Sequence, residues 1–347
     1  MGLAWLAMTD RPVTTAVLLV GGFGTRLRPL TLDTPKQMLP VAGPTMLERV
    51  LSHLSGHGVT RAVLALGYKA DGFTDAYPDG TCAGVELVYA VEPEPLDTAG
   101  AVRFAAVEAG VDETFLALNA DVLNDLDITE LVEFHRASGA EGTIHLTPVD
   151  DPSRYGVVPI DADGKVQAFI EKPPRDEAPT NWINGGTYVL EPSVLDRIEP
   201  GRKVSIEREV FPAMVADGTL FALERAGRWV DAGTPATYLE ISLAYLDGTA
   251  GSDPAVAHSA NVDAGASVTD SWIGDGAVVE TGVTLDHALV LPGARVAEGA
   301  LVRESIIGPG SVVGARARIN GLTVIGNDVV IDPGAVLHEA RVPAEAP

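Results

Sequence analysis

The sequence predicts a doubly wound, Rossmann-like α/β domain followed by a left-handed parallel β-helix of hexapeptide repeats. Three observations predict it. β-Branched apolar runs alternate with amphipathic helical stretches over the first half of the chain. A glycine-rich turn follows the first of those runs. Beyond residue 250, aliphatic residues recur every six positions.

Val13–Val20 is an apolar run that stops at Gly21-Gly22, as a buried parallel strand feeding a glycine loop does. Thr45 with Glu48 three residues on forms a capping box. It opens a helix to about Ser55, which Gly56 and Gly58 end. Further strands are expected at Arg61–Leu66, Val85–Val91 and Phe115–Asn119, with helices at Thr98–Glu108 and Ile128–Ala137. Such alternation gives a doubly wound sheet. From Gly142 to Leu190, strands broken by Gly, Pro and Asp read as antiparallel additions.

Asp247–Pro254 is a polar, glycine-rich linker. After it, Val256, Val262 and Val268 form a short series. Ile273, Val279, Leu285 and Leu291 form another. After a slip of phase, Ile307, Val313, Ile319, Ile325, Ile331 and Leu337 continue. A period of six fits neither a helix nor simple alternation. It fits a triangular coil in which one aliphatic residue per face points inward. The expected domains are 11–247 and 253–341. The open ends of such a coil are natural contact surfaces, so a homo-oligomer with β-helix contacts is expected.

The 347 residues are enough for two cores. A formal net charge of −24 excludes nucleic acid and anionic membrane surfaces as natural partners. No apolar run approaches the roughly 20 residues of a membrane span. Met1–Met8 is apolar but short and reads as a start-site extension rather than a signal peptide. The single cysteine, Cys82, excludes an internal disulfide, and cytoplasm is the expected location. Against the acidic background, Arg26, Arg28 and Lys36 stand out just behind the glycine turn.

That turn reads Gly21-Gly22-Phe23-Gly24-Thr25-Arg26-Leu27-Arg28-Pro29-Leu30, then Thr34-Pro35-Lys36. It lacks the third glycine of a dinucleotide fingerprint and the Gly-Lys-Ser/Thr of a P-loop. It resembles, at every fixed position, the signature of the sugar-1-phosphate nucleotidyltransferase family. Later segments agree in order: Asn119-Ala120-Asp121, Tyr155-Gly156-Val157-Val158, Phe169-Ile170-Glu171-Lys172-Pro173, Asn184-Gly185-Gly186-Thr187-Tyr188 and Trp229-Val230-Asp231-Ala232-Gly233.

The resemblance implies displacement at the α-phosphorus of a nucleoside triphosphate by a sugar 1-phosphate, with pyrophosphate leaving. The nucleophile is already ionised, so positioning and electrostatics suffice. The scattered histidines agree, since no acid–base triad is needed. The resemblance implies that Gly21, Gly22, Gly24, Thr25 and Arg26 cradle the triphosphate and that Lys36 reaches it. Asp121 and Asp231 would be the Mg²⁺ carboxylates. Lys172 would hold the sugar phosphate, Glu171 the sugar hydroxyls, and Gly156 and Asn184 would line that pocket. Arg26, Lys36, Asp121, Lys172 and Asp231 are therefore the expected catalytic set.

Two shorter segments bear on specificity. Glu92-Pro93-Glu94-Pro95-Leu96-Asp97-Thr98-Ala99-Gly100 and Ser205–Pro212 resemble the mannose-1-phosphate guanylyltransferase branch. Glu92, Thr98, Ala99 and Gly100 are thus expected at the nucleotide. A carboxylate from Glu92 or Asp97 could accept guanine's paired N1–H and N2–H₂ donors. Asp97 could equally be a helix N-cap. Uridylyl or thymidylyl transfer to glucose 1-phosphate remains the alternative. Ala120 replaces the family's glycine. If that position needs φ > 0, the metal loop would be strained, and a regulatory subunit without turnover becomes the second reading.

Overall fold

The computed structural model describes residues 12–22, 24–67 and 71–344. The Met1–Met8 stretch and Phe23 lie outside the described residues. The chain forms two compact units, one drawn from 1–22 and 48–229, the other from 23–47 and 230–347.

The first unit is built on a mixed sheet. Strands β1 (Thr15–Leu19), β2 (Arg61–Leu66), β4 (Val85–Val91) and β5 (Phe115–Asn119) are parallel, in the order β5-β1-β2-β4. β3 (Thr81–Cys82) closes one edge antiparallel to β4. The chain leaves β1 for β2 and β4, then crosses to the other side of β1 as β5. That reversal is the topological switch point at which ligands collect in open α/β sheets. β10 (Trp182–Leu190) runs antiparallel between β5 and β7 (Gly142–Pro148), as the broken strands of that region predict. β11 (Leu220–Glu224), missed in the sequence, adds parallel to β7.

The helices follow the sequence closely: α1 (Met46–Gly56), α3 (Asp97–Glu108) and α4 (Ile128–Ser138), with a short α2 (Asp71–Ala76) between. In α4, Asp127 accepts from the Glu130 amide at 3.1 Å, and Gly139 closes the helix at φ 61°. The core joins Val17, Val63, Ala117 and Ile144 from the sheet to Tyr188 and Phe211, all buried.

In the second unit, residues past the linker form parallel coils. Asn261, Val278, Arg295 and Val312 pair in register, one per coil, so three coils advance by 17 residues; Val312 to Val330 advances by 18. This corrects the expected register. The inward column runs Ile273, Val279, Leu285, then Val290, Val296, Val302, Ile307. Leu291 is buried but lies outside that column, and the step shortens to five at Leu285–Val290 and at Val302–Ile307. The physical reason is a tight corner. Asp270, His287 and Glu304, at φ 40°, 49° and 41°, each turn the chain with one left-handed residue. At the equivalent corner of the next coil, Gly321 and Leu322 are both left-handed, at 64° and 58°, which restores a step of six.

Candidate active site

The glycine turn begins where β1 ends. Gly21 and Gly22 are exposed, and Gly22 holds φ 116°, a conformation that side-chain-bearing residues rarely adopt. The amide of Ala120 donates to the Leu19 carbonyl at 3.2 Å, which ties the end of β5 to the end of β1. Asp121 follows at once. Gly21, Gly22 and Asp121 thus share the carboxyl edge at the switch point. Ala120 is buried and does not have a positive φ. The strain that would have favoured a regulatory subunit is absent, since alanine suits this backbone.

The expected sugar pocket is assembled from three adjoining strands. β8 (Gly156–Val157) pairs Val157 with Ile183 of β10, and Gly156 with Glu171 of β9 (Ile170–Glu171). A Cβ at position 156 would meet the Phe169 ring at 2.6 Å, so only glycine lets this ribbon close. Lys172 follows with φ 50°, its amide donating to the Tyr155 carbonyl at 3.0 Å and its Nζ 3.1 Å from Glu171 Oε1. A lysine forced into the left-handed region is the kind of local strain that clusters at functional sites.

Asn184 opens a register shift in β10. Its Nδ2 donates to Tyr188 Oη at 2.9 Å, and its Oδ1 accepts from the Gly186 amide at 2.9 Å. Burial pushes the Tyr188 hydroxyl far up, so it stays protonated. Trp229 Nε1 donates to the Gly185 carbonyl at 2.8 Å, and Tyr155 meets the Trp229 ring edge-on at 5.5 Å. Both aromatics stand in quoted motifs, and sequence reasoning gave neither a role.

The two specificity segments fold against each other. The amides of Ala99 and Gly100 donate to the Val204 carbonyl at 2.9 and 3.2 Å. Thr98 Oγ1 accepts from the Ile206 amide at 2.8 Å and donates to Glu207 Oε2 at 2.9 Å; Ser205 Oγ donates to the same oxygen at 2.7 Å. Ile206–Val210 is a π-helical turn, a form often found at functional sites. Glu92 follows β4, and its Oε2 accepts from the Leu96 amide at 2.8 Å. Burial pushes its carboxyl up, against that bond.

Asp97 is not the N-cap. It is the first helical residue, with φ 61°, and its Oδ1 accepts from the amide of its own neighbour Thr98 at 2.8 Å. Aspartate is one of the few side-chain-bearing residues that tolerate the left-handed region.

The remaining expected residues lie in the second unit. Gly24, at φ 57°, starts a 3₁₀ turn over Thr25–Leu27, and its carbonyl accepts from Thr31 Oγ1 at 2.7 Å. Thr25 and Arg26 are exposed. Arg26 Nη2 lies 3.5 Å from Asp231 Oδ2. Lys36 opens a second 3₁₀ turn, Lys36–Met38. Gly21, Gly22, Glu92, Thr98, Ala99, Gly100, Asp121, Gly156, Glu171, Lys172 and Asn184 therefore belong to one unit, and Gly24, Thr25, Arg26, Lys36 and Asp231 to the other.

The donor chemistry fits Mg²⁺. Asp121 and Asp231 offer hard carboxylate oxygens, and the described residues hold no group of three or more His, Cys, Asp or Glu arranged as a metal cage. Mg²⁺ takes one or two protein carboxylates and completes its shell with water and substrate phosphates.

The doubly wound sheet carries a glycine turn at the end of β1, and comparison with known proteins gives the family. Residues 15–248 match the family model "Nucleotidyl transferase", and residues 252–345 match "GMPPB C-terminal domain". The chain belongs to the nucleotidyl transferase family. It is 40% identical over 284 residues to a mannose-1-phosphate guanylyltransferase of Mycobacterium tuberculosis, covering 79% of this chain and 78% of that protein. A probable mannose-1-phosphate guanylyltransferase 1 of Oryza sativa subsp. japonica is 40% identical over 332 residues, covering 90% and 91%. Among solved structures, HddC from Yersinia pseudotuberculosis complexed with GMP-PN is 31% identical with a TM-score of 0.57. That match covers 66% of this chain and 98% of HddC.

Proposed function

We propose that the protein transfers GMP from GTP to mannose 1-phosphate, giving GDP-mannose and pyrophosphate. The observation that carries this reading is the joining of Thr98, Ala99 and Gly100 to Val204–Glu207 in one hydrogen-bonded structure. These are the two segments that set the guanylyltransferase branch apart, and the relatives above carry the same name. The phosphate oxygen of the sugar attacks the α-phosphorus while the bond to the bridging oxygen of the β-phosphate breaks. No proton has to move.

Gly21, Gly22, Gly24, Thr25, Arg26 and Lys36 hold the triphosphate, with Arg26 on the leaving pyrophosphate. Lys172 holds the sugar phosphate, Glu171 binds hydroxyls, and Asn184 and Gly156 shape the pocket. Asp121 and Asp231 are the residues that would hold Mg²⁺, which neutralises phosphate charge when bound. Glu92 faces the guanine donors. The proposed location is the cytoplasm. Among the described residues no helix is long and apolar enough to cross a membrane. Self-association through the coils is part of the proposal, supported by Val330 and Val336, which are 71% and 70% exposed on the last coil.

The test is kcat/KM for GTP, ATP, UTP and dTTP, each with mannose and glucose 1-phosphates. GTP with mannose 1-phosphate should lead by roughly tenfold to a hundredfold, the effect of one or two misplaced buried acceptors. A lead for UTP or dTTP with glucose 1-phosphate would overturn the guanylyl reading.

A further inference from the structure

Within the second unit, the segment that follows the glycine turn is clamped by elements from the far end of the sequence. Pro29 rests on the coil at Gly326: a Cβ at position 326 would lie 3.0 Å from Pro29 Cβ and 3.2 Å from its Cγ. Asn327 Nδ2 donates to Thr34 Oγ1 at 3.3 Å. Tyr238 Oη, on the helix Pro235–Ala244, donates to the Pro40 carbonyl at 2.5 Å. Lys36 lies between the last two anchors. Pro35, with its fixed φ, carries the orientation set at Thr34 to Lys36.

The corner that touches Thr34 is unlike its equivalents. The two preceding coils turn at Pro292-Gly293 and Pro309-Gly310, with φ 71° and 66° at glycine. Here the turn is Asn327-Asp328, with aspartate at φ 56°. The coil has given up the residue best suited to a left-handed turn. In the place of proline it gains a side-chain amide, and that amide reaches Thr34.

We propose that Gly326 and Asn327 of the β-helix are positioning residues for the triphosphate loop, fixing Pro29 and Thr34 so that Lys36 is presented to the nucleotide. The proposal rests on the reading of Lys36 as a triphosphate ligand. Its effect is preorganisation: a loop already held in its bound geometry loses less freedom when the nucleotide arrives.

The test uses the full chain with Asn327→Ala, and with the pair Asn327→Pro and Asp328→Gly, which rebuilds the corner of the two preceding coils. Both should weaken GTP binding at equilibrium and raise its KM by about three- to tenfold, the range of one lost hydrogen bond. The KM for mannose 1-phosphate should stay within about twofold, and the melting temperature of the double variant should hold or rise. Thr34→Val should reproduce the effect and add nothing in combination with Asn327→Ala. A fall in melting temperature with unchanged GTP affinity would mean the contact is merely structural and overturn the proposal. If the wild type prefers another triphosphate, the functional reading fails on its own, and the affinity for that triphosphate decides the positioning role. If it binds no triphosphate at all, both fall.

Discussion

His145 and His287 stand under opposite pressures in the two units. His145 is buried in the sheet unit, and burial pushes its ring down to about 4, although the Arg225 backbone and Asp125 oppose the change. His53 and His135 shift down for the same first reason. His287 sits at a coil corner with its side chain 53% exposed, and its bond to Asp286 at 3.0 Å, with Asp270 and Glu304 nearby, pushes its ring up. The sheet unit encloses polar groups and has to satisfy them. The coils bury hydroxyls, at Ser271, Ser305, Ser311 and Thr323, but, among the described residues, no histidine ring. The buried histidines make the stability of the sheet unit sensitive to pH.

The largest test of this division concerns the two carboxylates, one in each unit. Asp121→Asn and Asp231→Asn should each lower kcat/KM by at least about a thousandfold, with unfolding transitions close to wild type. Equal losses are expected if both carboxylates hold the proposed Mg²⁺. Near-normal turnover of either purified variant would remove the two-aspartate site. Lys172→Ala comes next and stays inside the sheet unit. It should raise the KM for the sugar phosphate by about thirtyfold and leave that for GTP within a few fold. A selective rise for GTP would reverse the role given to Lys172.

The histidines sharpen the contrast in stability. Between pH 6.5 and about 4, the unfolded chain protonates at His145 and the folded chain does not. Stability therefore falls as pH drops through that window, by roughly 2 kcal/mol from pH 6.5 to pH 5. His287 has the opposite sign: its stabilisation is present at low pH and lost as pH rises through its folded value. The Glu141 carboxylate, held down first by Arg197, weakens only in a lower window, below its ordinary 4.5. Denaturant midpoints measured from pH 7 to pH 5 should slope downward in the wild type and less steeply in His145→Gln, with His53 and His135 keeping part of the slope. An unchanged slope in that variant would place the pH sensitivity elsewhere.

Much of this was legible because local signals agreed with the fold. The parallel strands announced themselves as apolar runs, and the glycine turn as a long motif. The register of the coils was not legible. Corners taken by Asp270, His287 and Glu304 carry charged residues where a reader looks for glycine, so the shortened steps were hidden. Nor could the sequence show that Thr34 meets Asn327 or that Thr98 meets Glu207. Those contacts join residues hundreds or a hundred positions apart, and only the tertiary fold sets them.

The smallest expected effects come from Asp97 and from Ala120, which replaces the family's glycine, and they make the finest comparison. Asp97 has φ 61°, so an L-residue there is strained; Ala120 does not have a positive φ and is fully buried. Asp97→Gly relieves the strain and gives up the bond from Asp97 Oδ1 to the Thr98 amide, so the two effects should leave stability within about 0.5 kcal/mol of wild type. Ala120→Gly relieves nothing. It frees the unfolded backbone and removes a packed methyl, and should cost about 1 kcal/mol. Activity under saturating substrates should be unchanged in Ala120→Gly, because the alanine backbone already lets Asp121 follow β5 at the switch point. Unfolding curves and saturating rates for the two variants decide the matter together. A large gain in rate from Ala120→Gly would mean that the alanine holds the metal loop back, and would restore the regulatory-subunit reading that the backbone geometry now opposes.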